Sequence, residues 1–95
     1  MDTKDAQDLM KRIYLDKDRE RGVQGTLLRT FEELGELSEA ITGGKREDIE
    51  EEIADVFAWL CSLANLLEID LTDTLLSKYQ GACSKCGKVP CECRQ

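Results

Sequence analysis

Residues 32–60 read EELGELSEAITGGKREDIEEEIADVFAWL, and this stretch decides the fold of the 95-residue chain. Each half carries a pair of acidic residues three apart, Glu33 with Glu36 and Glu52 with Asp55. Side chains at that spacing lie on the same face of a helix. The glycine pair at 43–44 allows the second helix to fold back antiparallel on the first. The stretch therefore predicts a helical hairpin that gathers four carboxylates beside apolar residues.

Four acidic side chains brought together repel one another unless a cation joins them. Carboxylates supply only hard oxygen ligands, which suit Mg²⁺ or Mn²⁺. We therefore interpret these four residues as a divalent-metal site. The alternative is an ordinary charged helix surface paired with basic side chains, but few of those lie within reach on the same helices. Three further acids are expected to be solvated charges at the start of the second helix: Glu47, Glu50 and Glu51.

Apolar residues at helical spacing predict further helices in the rest of the chain. The first runs from residue 3 to about residue 18, and Gly22 and Gly25 allow a loop after it. Thr26 is expected to cap the second helix, and the third runs from about residue 46 to about residue 68. A short fourth helix begins with Asp70 or Thr72 as its cap. We predict an all-α fold, an antiparallel bundle of about four helices, with a subunit interface on the broad apolar surface of the third helix.

The composition limits the classes of function. Twenty acidic and 13 basic residues give a net charge of −7, which argues against a nucleic-acid-binding protein, since such proteins need a basic surface. No stretch is apolar enough to span a membrane, and the first residues, MDTKDAQDLMKR, lack the apolar run of a secretory signal. We therefore expect a cytoplasmic protein without a membrane partner. With no histidine in the chain, catalysis must use carboxylates, lysine, cysteine or a metal-bound water.

The end of the chain is rich in cysteine and lacks the helical periodicity of the rest. We divide the chain into a helical domain, residues 1–80, and a cysteine-rich tail, residues 81–95. Four of the five cysteines lie in this tail, with the spacing Cys-x-x-Cys and then Cys-x-Cys: Cys83, Cys86, Cys91 and Cys93. Such a set can complete a tetrahedral zinc site, and we favour zinc over disulfides because cytoplasmic thiols usually stay reduced. Cys61, among apolar helix residues, is expected to be a buried structural cysteine.

Four segments of the chain together resemble the MazG-like nucleotide pyrophosphohydrolases, of the all-α NTP pyrophosphatase superfamily. The two acidic segments, EELGELSEA at 32–40 and EEIADVFAWL at 51–60, match the family's Glu-x-x-Glu and Glu-x-x-Asp signature. The flanking segments also match small single-domain members: YLDKDRERG at 14–22 and SLANLLEIDLTDTLLSKY at 62–79. The resemblance covers roughly residues 5–80, so the tail inherits no role from it.

This resemblance implies hydrolysis of a nucleoside triphosphate to the monophosphate and pyrophosphate, dependent on Mg²⁺ or Mn²⁺. The four carboxylates would hold the metals, and Glu33 or Glu36 would accept a proton from the water that attacks the α-phosphorus. It also implies a homodimer or homotetramer, and a role in clearing non-standard nucleotides. The alternative from another class is a non-catalytic helical interaction module that contacts a partner through its zinc-binding tail.

The resemblance also suggests residues that contact the substrate. They are a basic residue near the end of the domain, two before the first acidic segment, and an aromatic and an amide on the third helix: Lys78, Lys17, Arg21, Trp59 and Asn65. Each has a simpler interpretation. The basic residues could be helix-end charges, the tryptophan a core or interface residue, and the amide a hydrogen-bond partner between helices.

Overall fold

The computed structural model describes residues 1–94, and over that range it contains three α-helices and no strand. Helix α1 spans Thr3–Gly43, α2 spans Arg46–Leu66 and α3 spans Leu71–Lys78. An irregular tail follows α3. The predicted all-α class is confirmed. The helix count is lower than the predicted four because the first two predicted helices meet at Gly22 without a loop between them and are counted as one element.

Gly22 divides α1 into two segments. Its backbone is non-helical, with φ 82° and ψ 170°, and the helix resumes directly after it. Glycine adopts such a positive φ without a steric penalty, so one residue redirects the chain where we had expected a loop. Thr26 is consequently not a helix cap. It lies in the early part of the second segment, fully buried, and its hydroxyl accepts a hydrogen bond from Arg21 at 3.3 Å.

Short polar side chains and one glycine define the helix ends. Asp2 and Asp5 form a reciprocal capping box at the start of α1. Gly44 ends that helix in the left-handed conformation, with φ 77°, and its N–H donates to Ala40. Asp70 caps α3, because its side chain accepts from the Asp73 N–H at 2.8 Å. The glycine pair thus reverses the chain between α1 and α2, as the sequence predicts.

Helix α2 packs along both segments of α1. At one end, the side-chain amide of Gln7 donates to the side-chain oxygen of Asn65, and the Asn65 amide donates to the backbone carbonyl of Gln7. The Gln7 side chain also donates to the backbone carbonyl of Ile69 and accepts from the backbone N–H of Leu71. At the middle, the guanidinium groups of Arg21 and Arg29, one from each segment of α1, both lie over the Trp59 ring. The bend at Gly22 lets both segments contact the same part of α2.

The interior of this single chain is polar, and many apolar side chains face outward. Within residues 1–94 the fully buried apolar side chains are Cys61 and Ala64, whereas the buried polar set is larger: Gln7, Asp18, Thr26, Glu33 and Ser62. The helical stripes that the sequence marks as packing surfaces are exposed on α1 and α2, as at Phe31, 63% exposed, and Ile53, 52% exposed. None of the helices in the described part of the chain has the length and apolar content needed to cross a bilayer.

Candidate active site

Three of the four predicted ligand residues form one compact group. Glu33 and Glu36 lie on the second segment of α1 and Glu52 on α2. Each offers a carboxylate oxygen within 4.8 Å of the oxygens of the others. The turn at the glycine pair brings the two helices together at this point. Asp55 lies outside the compact group, one turn further along α2, but close enough for its charge to raise the pKa of Glu33 and Glu52.

Two oxygens of this group are buried without a hydrogen bond. Glu33 is 5% exposed, and neither its Oε2 nor the Oε2 of Glu52 has a hydrogen-bond partner within residues 1–94. A buried polar atom without a partner carries a desolvation cost of roughly 1–3 kcal/mol, and more when it is charged. Folded proteins rarely tolerate two such atoms side by side. The donor set, its burial and its unmatched oxygens all fit a hard divalent cation.

The electrostatics of the group agree with this fit. Burial, followed by the adjacent Glu36 carboxylate and the negative charge of Asp55, raises the pKa of Glu33 to about 7. Burial, followed by the charges of Glu36 and Asp55, also raises the pKa of Glu52. The folded chain therefore makes ionisation of Glu33 and Glu52 less favourable, as expected when like charges are gathered without a counterion.

Arg29, one of the few basic residues within reach of these carboxylates along the helices, is a direct neighbour of the acidic group. Its guanidinium donates to Glu32 at 2.7 Å and to Glu33 at 3.2 Å. It also lies 5.1 Å from the centre of the Trp59 ring. The signal was present in the sequence, since Arg29 and Glu33 are four apart and such residues are neighbours on a helix.

A cavity of about 200 Å³ adjoins the acidic group. Three of the residues predicted to contact substrate line it, Lys17, Arg21 and Trp59, together with Asp55. The sequence did not predict the other lining residues: Tyr14, Asp18, Ala58 and Ser62. Asp55 belongs to this wall and also lies near the acidic group, so the cavity is next to the carboxylates.

The other two residues predicted to contact substrate do not line this cavity. The Asn65 amide bonds Gln7, in the role of a helix–helix hydrogen-bond partner. Lys78 lies in the last turn of α3, and its ammonium group is 5.5 Å from the centre of the adjacent Tyr79 ring.

The four tail cysteines form a second cluster of possible ligands. Their sulfurs all lie within 4.8 Å of one another, with 3.6 Å between Cys83 and Cys93 and 4.0 Å between Cys86 and Cys91. Backbone N–H groups point at three of the sulfurs at 3.3–3.5 Å. Backbone hydrogen bonds from residues 86 and 85 lower the pKa of Cys83 to about 6. All four cysteines are free thiols.

Comparison with known proteins identifies the family to which this chain belongs. The family model of the MazG nucleotide pyrophosphohydrolase domain matches residues 21–88, more than two thirds of the chain. The chain therefore belongs to the MazG family, as its acidic segments indicate, and membership supports a pyrophosphohydrolase that acts on nucleotides. A search among curated proteins returned no match.

Proposed function

We propose that this protein hydrolyses nucleoside triphosphates to the monophosphate and pyrophosphate, using Mg²⁺ held by the carboxylate group. The observation that carries the proposal is the pair of buried Oε2 atoms, on Glu33 and Glu52, that lack a partner in the described part of the chain. Glu36 and Asp55 complete the proposed ligand set. Clearance of non-standard nucleotides is the cellular role that we propose for this activity.

Different side chains around the site bind the substrate and accept the proton of the attacking water. Bound Mg²⁺ would neutralise the phosphates and acidify a water molecule. Glu33 or Glu36 accepts the proton of the attacking water, because both carboxylates lie at the phosphate end of the site. Arg29 holds Glu33 from one side and restricts its movement.

Lys17 and Arg21, in the cavity wall, add positive charge next to the substrate. Lys78 and Asn65, outside this wall, contribute only if the substrate extends beyond the cavity.

An assay of pyrophosphate release from a panel of ribo- and deoxyribonucleoside triphosphates with Mg²⁺ tests the proposal. Glu36→Gln and Asp55→Asn should each lower turnover roughly a hundredfold or more, since even indirect support of a metal costs 10–100-fold when lost. Glu47→Gln is the matched control, because Glu47 lies in the exposed first turn of α2. Glu47→Gln should keep full activity.

Absence of pyrophosphate release from every nucleotide by a folded protein that binds Mg²⁺ would contradict the proposal. It would favour the non-catalytic interaction module instead. Full activity in both carboxylate variants would leave hydrolysis standing but remove the metal assignment.

We also propose that the tail cysteines hold a structural zinc ion. A Zn–S distance of about 2.3 Å in a tetrahedron requires sulfurs about 3.8 Å apart. The separations of 3.6 Å and 4.0 Å lie on either side of that value. The N–H groups directed at the sulfurs would stabilise thiolates. Both supports are local to the tail, so this zinc site is independent of the carboxylate site.

The exposed apolar stripes lead us to propose a homodimer or homotetramer. On α1 they comprise Leu27, Leu28, Phe31 and Leu34, and on α2 Ile53, Phe57 and Leu60. Monomeric proteins rarely expose a continuous apolar surface of this kind, and a second copy presents the same two stripes in return. Light scattering coupled to size exclusion measures the mass in solution. A protein that stays monomeric at high concentration would contradict this proposal.

A further inference from the structure

Asp18 is the one buried charge in the cavity wall that the hydrolysis chemistry does not use. Its side chain lines the cavity and the residue is only 1% exposed. Oδ1 accepts a hydrogen bond from the Arg21 guanidinium at 2.8 Å. Oδ2 is closed to solvent and has no hydrogen-bond partner within residues 1–94. The ion pair with Arg21 satisfies only one oxygen of this buried carboxylate. The other oxygen carries a desolvation cost that a second hydrogen-bond donor would offset.

The surroundings of Asp18 are held in place on several sides. Arg21 bonds the Asp18 carboxylate and the hydroxyl of Thr26, and its guanidinium lies 4.5 Å from the centre of the Trp59 ring. Asp18, Arg21 and Trp59 thus form one connected wall. The bend at Gly22 makes this connection, because it turns Thr26 back towards Arg21.

The size of the cavity limits what it can hold. Sites for whole drug-sized ligands occupy about 300–1,000 Å³. A cavity of about 200 Å³ accommodates one planar ring system beside Trp59 and leaves the rest of a nucleotide outside. Asp55, in the same wall, marks the side on which the proposed phosphate site begins. The base of a bound nucleotide is therefore the part that reaches Asp18.

An ionised carboxylate only accepts hydrogen bonds, so the ligand atom that meets it must be a donor. An exocyclic amino group on a base meets this requirement. A carbonyl at the same position presents lone pairs to the carboxylate and is repelled. Asp18 lines the cavity, so a donor that a ligand places against this wall is the partner that Oδ2 lacks.

We propose that Asp18 selects nucleotides whose base carries an exocyclic amino group over matched nucleotides that carry a carbonyl or a hydrogen there. The selection rests on the proposed function, since it assigns the base of the same nucleotide whose phosphates meet the carboxylates. Asp18 is a specificity-determining residue. It takes no part in the bond cleavage.

Three matched pairs of substrates test the selection: dCTP with dUTP, dGTP with dITP, and dATP with dITP. At least one amino-bearing member should have a kcat/KM roughly ten- to a hundredfold higher, the range expected for one hydrogen bond to a charged group. Asp18→Asn should bring that ratio close to one, because an amide can donate to a carbonyl as well as accept from an amine. Asp16→Asn is the control, since Asp16 is exposed on the same helix and does not line the cavity. It should keep the wild-type ratio.

A second measurement separates this selection from hydrolysis. Trp59 is the only tryptophan in the chain, so its fluorescence reports on the cavity. Titration with the matched nucleoside monophosphates, without metal, should show tighter binding of the amino-bearing member in wild type and not in Asp18→Asn. Equal kcat/KM and equal affinity within all three wild-type pairs would overturn the role of Asp18 even if hydrolysis is observed. An unchanged ratio in folded Asp18→Asn would overturn it too. Selective binding without any hydrolysis would support it and count against the proposed function alone.

Discussion

The Arg29 guanidinium donates to Oε1 of Glu33 at 3.2 Å, so a permanent positive charge lies at the edge of the carboxylate group. The contact satisfies one oxygen of Glu33 and leaves Oε2 without a partner in the described part of the chain. The positive charge of Arg29 lowers the pKa of Glu33, but burial and the neighbouring acids raise it by more. Arg29 therefore replaces only part of the positive charge that the site requires.

Replacing Arg29 with glutamine should lower the stability of the metal-free protein and strengthen its response to Mg²⁺. The first effect follows from loss of a charge-assisted hydrogen bond to a buried carboxylate, a cost of about 1–2 kcal/mol because the Arg29 side chain is itself partly exposed. The stronger response to Mg²⁺ follows because the Arg29 guanidinium no longer competes with the metal ion for Glu33 and no longer repels it. Thermal unfolding with and without Mg²⁺ should show a lower Tm without metal and a larger rise on its addition than in wild type.

Arg12→Gln is the matched control for this experiment. Arg12 pairs with Asp8 four residues earlier on α1, but both side chains are exposed, so its removal should change stability little. It should also leave the Mg²⁺ response unchanged. An equal Mg²⁺ response in all three proteins would show that Arg29 does not act on the metal site.

Much of the fold follows from patterns within single helices. The helix ends at Asp2, Gly44 and Asp70 could be predicted because each depends on a local hydrogen bond or a local backbone conformation. The absence of a loop at Gly22 could not be predicted in this way. A glycine allows either a loop or a one-residue bend, and packing of both helical segments on α2 decides between them.

The sequence likewise predicted one part of the candidate site and missed another. Acids three apart on one helix reveal a shared face, so the meeting of Glu33, Glu36 and Glu52 could be expected from spacing. Asp18 could not be identified in this way. It lies in the charged run DKDRER, a pattern typical of solvated side chains, and the contacts with Arg21 and the cavity wall that accompany its burial cannot be read from that run.

The stability of the metal-free protein should fall as the pH rises towards neutrality. Glu33 has its pKa raised from the usual 4.5 to about 7 on folding, so the folded state holds a proton that the unfolded state releases. This contribution to stability is fully present below pH 4.5 and is lost as the pH rises through 7. Glu52, whose pKa is also raised, acts in the same direction. Denaturant midpoints measured without divalent metal should decrease between pH 4.5 and about 6, the range in which the Cys83 thiol, whose lowered pKa of about 6 acts in the opposite direction, is still protonated.

Two comparisons identify the source of this pH dependence. Glu33→Gln should flatten the profile, because the amide has no proton to lose. Mg²⁺ should flatten it as well, since a bound cation favours the ionised carboxylates. A metal-free wild-type protein whose stability increases over the same interval would show that Glu33 is not protonated in the folded state.

The tail should contain one zinc ion per chain that depends on each of the four clustered cysteines. Cys91→Ser removes a thiolate ligand, and metal analysis of protein purified without chelator should show zinc lost from this variant. Cys61→Ser is the matched control, because Cys61 is buried in α2 and lies outside the tail cluster. It should retain zinc. Wild-type protein that contains no zinc and whose tail thiols are oxidised would favour disulfides instead.

Gly22 and Gly43 should respond to alanine in opposite directions. Gly22 has φ 82° and ψ 170°, a conformation essentially restricted to glycine that costs another residue roughly 1–3 kcal/mol, so Gly22→Ala should destabilise the protein although nothing lies within 4 Å of the added methyl group. Gly43 is the last residue of α1, without a positive φ and also in open space. Gly43→Ala should stabilise by about 0.5–1 kcal/mol, because alanine loses less backbone entropy in a helix. Chemical unfolding of the two variants and wild type measures both changes. If Gly22→Ala were as stable as wild type, the bend would not depend on glycine, and the wall of Asp18, Arg21 and Trp59 would have to be held by packing alone.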